Sequence, residues 1–86
     1  MTSRLTAALV GHHLTAADHP SSVHRRKWAP GYRVQQDSPR TVRVWHDGPD
    51  EHPHLAAYAD ALRAAGCTVT AEHPVGARPR LRVTHP

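Results

Sequence analysis

The chain has 86 residues, enough for one domain with a thin core, and it contains neither Phe nor Ile, so Val, Leu, Ala and two Trp must fill the interior. Eleven Lys and Arg against seven Asp and Glu give a formal charge of +4 and a pI of about 10.2, which suits nucleic acid or another anionic surface as a partner. The single Cys67 excludes an internal disulfide and a multi-cysteine zinc site and points to a reducing compartment, the cytoplasm by default.

At the N-terminus, Arg4 precedes a short apolar run at residues 5–10. His12 and His13 interrupt that run too early for a signal peptide, and no stretch reaches membrane-spanning length. Thr2 or Ser3 would cap a helix with the stripe Leu5, Ala8, Leu9, His12 and Ala16, although Val10 and Leu14 fall off that stripe and Gly11 sits inside it. From 18 to 31, Pro20, Ser21, Ser22, Pro30 and Gly31 predict an irregular stretch around the basic cluster His24, Arg25, Arg26, Lys27 and Trp28. Residues 1–30 therefore read as an N-terminal segment and 31–86 as a single domain.

Within that domain the pattern predicts strands at 31–36, 41–46, 67–72 and 80–85. Asp37, Ser38, Pro39 and Arg40 make the first turn, and a longer loop at 73–79 makes the second. Between the two hairpins, Leu55, Tyr58, Ala59, Leu62 and Ala65 fall on one helical stripe over 53–65, with Pro53 in the first turn and Gly66 just past the end. The opposite helix face, Ala57, Asp60, Ala61 and Ala64, is alanine-rich, which suits cover by the N-terminal segment or by another chain. The order strand, strand, helix, strand, strand predicts an α+β fold: a mainly antiparallel four-stranded sheet with one helix on one face.

Strand side chains alternate faces with period two, so Tyr32, Val34, Val42, Val44, Val69, Leu81 and Val83 share one face. Arg33, Arg43, Trp45, Arg80 and Arg82 share the other. Guanidinium groups pair with phosphates and an indole offers a plane for a base, so these five residues, with Arg25, Arg26 and Lys27 as a flank, predict a surface for DNA or RNA. The competing reading of the same residues is a solvated strand face that discourages edge pairing, with Trp45 packed under the N-terminal segment. Ten of the eleven basic residues are Arg, which high-GC coding bias also produces.

Nine histidines raise the question of metal. The densest run, His46, Asp47, Asp50, Glu51, His52 and His54, has ligand residue types, with His46, His52 and His54 as weak candidates. It lies at a helix N-terminus, whose positive potential disfavours a cation, and holds no His pair at i, i+4 spacing. No metal or other cofactor is expected. Cys67, His73 and Asp60 supply nucleophile, base and orienting residue types without any motif to join them, and Cys67 has the parity of Val69, so it reads as a buried small hydrophobe. No glycine-rich phosphate loop or dinucleotide fingerprint occurs, and the chain reads as non-enzymatic. Its Ala-, Arg-, His- and Pro-rich composition resembles that of small accessory proteins of high-GC bacteria and their mobile elements, without a motif to carry the likeness. The expected function is a small nucleic-acid-binding module. A homodimeric or protein-interaction module is the first alternative and histidine-mediated metal binding the second, with no membrane partner.

Overall fold

The computed structural model of the chain describes residues 5–24 and 27–85, with the backbone alone at 23, 24, 27 and 28. Helix α1 (Ala7–Ala16) is followed by two short strands, β1 (Val23–His24) and β2 (Lys27–Trp28). Then come β3 (Gly31–Ser38), β4 (Thr41–Asp47), helix α2 (Glu51–Ala64), β5 (Thr68–Glu72) and β6 (Arg80–Thr84). One antiparallel sheet holds four strands in the order β3, β4, β6, β5, and β1 pairs with β2 apart from it. The fold is α+β, with a hairpin on each side of α2 as the hydrophobic pattern predicts.

The core lies on one face of the sheet. Tyr32, Val42, Val44, Val69, Leu81 and Val83 are buried there, facing Leu55, Tyr58, Ala59 and Leu62 of α2. Full burial of a Val or Leu side chain contributes about 1.5–3 kcal/mol, so this layer drives folding. Helix α1 joins the same layer, burying Val10 and Leu14 beside α2 and β3, with Leu5 entering just before the helix. The predicted stripe for this helix is therefore wrong. Val10 and Leu14, an i, i+4 pair, face the core, whereas Leu9 is 36% exposed. The cap is Thr6, whose hydroxyl accepts from the Leu9 N–H at 3.1 Å, while Thr2 and Ser3 lie outside the described residues.

Both helices end by the same device. His19 N–H bonds back to the Leu14 carbonyl and Cys67 N–H to the Leu62 carbonyl, a closing geometry that needs a left-handed residue just before. Gly66 supplies it after α2, with φ 94°, and Asp18 supplies it after α1, with φ 66°. Helix α2 starts at Glu51, two residues before the predicted boundary, which places Pro53 third in the helix. That position still lies among the first four N–H groups, which lack intrahelical partners, so proline loses nothing there. Ala65 of the predicted stripe is the exposed residue after the helix.

The predicted irregular stretch is more ordered than its Pro and Ser content implies. Val23 and His24 pair with Trp28 and Lys27, and the residues before them run along the edge of β3. Ser22 N–H donates to the Tyr32 carbonyl at 2.8 Å and Tyr32 N–H to the Pro20 carbonyl at 2.9 Å. This close approach is possible because residue 31 is glycine: a Cβ there would overlap the Pro20 carbonyl oxygen and lie 2.8 Å from the Ser21 carbonyl carbon. Gly31→Ala is accordingly expected to destabilise the fold by about 1–3 kcal/mol, read as a lower denaturant midpoint. An unchanged midpoint would show that the 20–22 segment does not hold this edge.

Candidate nucleic-acid interface

Because both helices cover the inner face, the outer face is bare of helix. Antiparallel register sets its rows. Arg33 pairs with Trp45, Gln35 with Arg43, Arg43 with Arg82, Arg82 with Thr70, and Glu72 with Arg80. The structure thus brings together Arg33, Arg43, Trp45, Arg80 and Arg82 on one surface, and the guanidinium carbon of Arg33 sits 5.2 Å from the Trp45 ring centroid. Strands β1 and β2 contact chiefly each other. Arg25 and Arg26 lie outside the described residues, and Lys27 is placed by its backbone alone.

This face is an ion-pair lattice as well as an arginine surface. Arg43 bridges Asp37 at 2.6 Å and Glu72 at 3.4 Å, Arg80 bonds Glu72 at 2.9 Å, and Arg33 lies 3.3 Å from Asp47. Four arginines therefore face three carboxylates, and Arg82 is the one of the four with no carboxylate within 4 Å among the described residues. Exposed pairs of this kind contribute at most about 1 kcal/mol each, but they lower the charge available to a polyanion.

Asp47 is the hub. Its carboxylate accepts from the Ser22 hydroxyl at 2.8 Å and from Arg78 at 3.1 Å, and Arg78 also bonds Glu51 at 2.9 Å and the His46 carbonyl. Burial works to raise the Asp47 pKa, but the hydrogen bonds from Ser22 and Arg78 and the charges of Arg33 and Arg78 outweigh it, so the carboxyl titrates below its ordinary value. The Arg80 hydrogen bond is the main cause that holds Glu72 below its ordinary value too. Sequence reasoning took Asp37 for a turn residue, whereas it lies in β3, took Asp47 for a metal-ligand type, and gave Glu72 and Arg78 no role on this face. Period-two parity places Asp47 and Glu72 on the arginine face, so that signal was present. Arg78 sits in a loop, where no period applies.

The histidine run resolves into a buried joint between β4 and α2. His46 is 2% exposed, and its Nε2–H donates to the Pro49 carbonyl at 3.0 Å. That bond fixes the tautomer, so Nδ1 accepts from the Tyr58 hydroxyl at 2.6 Å. Burial pushes the Tyr58 pKa up to about 12, which keeps the hydroxyl a donor. The His54 ring stacks on His46 with centroids 3.9 Å apart and planes 4° from parallel. Both His46 nitrogens are thus engaged, and no three His, Cys, Asp or Glu converge to hold a metal among the described residues. His52 lies 6.0 Å, ring to ring, from His73.

Cys67 is half-buried against the core, and burial pushes its thiol pKa up, away from the reactive thiolate. His73 and Asp60 line a groove between α2 and the β5–β6 hairpin, and Cys67 is not among its walls. No helix among the described residues is long and apolar enough to cross a membrane. Compared with protein families, curated proteins and solved structures, the chain matches none, so a reading of its function rests on its own geometry.

The His46 joint predicts a pH dependence. Burial first, and the nearby His54 second, lower the His46 pKa below its ordinary 6.5. The unfolded chain then takes up a proton near pH 6.5 that the folded chain refuses. The stability from this site is therefore whole above pH 6.5 and is lost as pH falls from there through the folded pKa. The urea midpoint should drop between about pH 7.5 and about pH 5, and His46→Asn, which cannot titrate, should flatten that slope. A wild-type midpoint that is level across this range would refute the joint as drawn.

Proposed function

We propose that the chain is a small non-enzymatic module of the cytoplasm that binds single-stranded DNA or RNA on the outer face of its sheet. The observation that carries this reading is the packing of α1 and α2 on the opposite face, which leaves Trp45 and the arginine rows uncovered by helix. Trp45 supplies the plane on which a base stacks, worth about 1–3 kcal/mol. Arg33 lies over one face of the indole, which leaves the other for a base, and Arg82 meets a phosphate without first giving up a carboxylate. Gln35, Thr68 and Thr70 are exposed on the same face and add hydrogen-bonding groups that suit backbone contacts with little base readout.

The carboxylates set the strength and salt dependence of this binding. With Asp37, Asp47 and Glu72 inside the lattice, few cations are free to displace counterions. The expected salt slope is shallow, about −2 in log K against log salt for a single strand. The test is a fluorescence titration of Trp28→Phe protein, in which Trp45 is the one remaining indole, with a short oligothymidine at low salt. Quenching that saturates, weakens in Trp45→Ala/Arg82→Ala when followed by anisotropy of a labelled oligonucleotide, and loses about 0.7 of slope in Arg82→Ala supports the proposal. Absence of any quenching or anisotropy change at low salt overturns it.

A further inference from the structure

The two edges of the sheet are finished differently. Along β3, Pro20 and Ser22 bond to Tyr32, and the Gln36 side chain accepts from the Ala7 N–H at 2.8 Å and donates to the Leu5 carbonyl at 2.7 Å. The register also shifts between Gln36 and Ser38. All three are recognised ways of blunting a strand edge. Strand β5 has none of them. Its ladder to β6 is regular from Thr68 to Glu72 and carries no Pro or Lys, and Arg63 makes the one side-chain bond to its backbone among the described residues, Nη2 to the Val69 carbonyl at 2.9 Å.

Beside that edge runs the groove of about 340 Å³ between α2 and the β5–β6 hairpin, with Leu55, Ala59 and Leu81 in its floor and Asp60 and Arg63 on its rim. On the other flank of α2, the matching position over β3 is taken by α1.

We propose that β5 pairs with β5 of a second copy of this chain, antiparallel about a twofold axis at Thr70, to make one eight-stranded sheet. The Val69 carbonyl that Arg63 caps faces away from β6, and backbone groups alternate along a strand, so Val69 and Ala71 are the residues with outward N–H and C=O groups. A twofold at Thr70 sets Val69 of one copy against Ala71 of the other, and each such pair exchanges both of its hydrogen bonds. Thr70 then meets Thr70, and Thr68 meets Glu72, so no like charges stand opposite one another.

Charge decides for a second copy over an unrelated peptide. Arg63 stands beside Val69, and Asp60 lies one turn earlier on the same rim, towards Ala71. The twofold therefore brings Arg63 of one copy to Asp60 of the other, twice. Arg63 releases the Val69 carbonyl to the incoming Ala71 N–H and finds its carboxylate across the interface. The apolar groove floors of the two copies lie back to back beneath this seam. This interface stands whether or not the outer face binds nucleic acid.

The test is sedimentation equilibrium of the intact chain over the micromolar range, without nucleic acid. Dimer mass that grows with concentration is expected. Thr70→Lys places like charges face to face at the twofold on a solvent-facing position, and should weaken the dimer at least about tenfold with unchanged circular dichroism. Ala71→Pro removes an outward N–H without touching the ladder to β6, and should do the same. Asp60→Arg should weaken association, and Asp60→Arg combined with Arg63→Asp should restore it. A monomer at every concentration overturns the proposal, as does a dimer that Thr70→Lys and Asp60→Arg leave intact.

Discussion

The structure depends on a sheet that is apolar on one face only. With no Phe or Ile, the inner face of Val42, Val44, Val69, Leu81 and Val83 is small and smooth, and one helix does not cover four strands. Helix α2 takes the middle and α1 takes the flank over β3, so both helices are committed to one side. Two consequences follow from this single constraint. The outer face carries no helix, and an open groove runs between α2 and the β5–β6 hairpin.

The outer face is shaped by its carboxylates as much as by its arginines. Arginine rows without counter-charges would repel one another across strands spaced about 4.8 Å apart. Asp37, Asp47 and Glu72 relieve that repulsion: Arg43 stands opposite Arg82 in the register and is held by Asp37 from β3 and by Glu72 reaching diagonally across β6. Asp47 does more, because the same carboxylate also takes Ser22 from the N-terminal segment and Arg78 from the β5–β6 loop. It ties two distant stretches of chain to the end of β4. The lattice that ties these elements together is thus the one that would limit how strongly this surface attracts a polyanion, and under the proposed function it would shift the burden of binding towards Trp45 and Arg82.

The fold was legible wherever a period ran unbroken. The four strands, the α2 stripe through Leu55, Tyr58, Ala59 and Leu62, and the left-handed turn at Gly66 all follow from spacing and residue type. Legibility failed where tertiary contacts chose among weak options. Helix α1 has two competing stripes, and the choice of Val10 and Leu14 over Leu9 is made by Tyr32, whose hydroxyl donates to the Gly11 carbonyl at 3.1 Å and accepts from Thr15 at 2.8 Å. The mid-helix glycine, which reads as a defect in sequence, lies under that ring, where a Cβ would still be 3.4 Å from the Tyr32 hydroxyl. Gln36, which binds the start of α1 to β3 through both ends of its amide, is invisible to parity because an exposed glutamine on a strand is unremarkable by composition. The outer-face arginines were legible as a set; their pairing was not, because ion pairs reach diagonally and from loops.

Residues 5–22 show how the described part of the N-terminal segment divides these surfaces. Had it folded across the outer face, Trp45 would be interior and the arginines would be rim. Instead α1 enters the inner layer and the 20–22 segment runs along the edge of β3, held there by Gly31, Tyr32 and Asp47. Those contacts use up one edge and, on the outer face, engage Asp47 at the end of β4 through Ser22. What is left over among the described residues is an outer face without a helix, in which Trp45 is half-buried, and the edge at β5. An eight-stranded sheet joined at β5 sets two outer faces side by side, so association at the edge would extend the face without covering it.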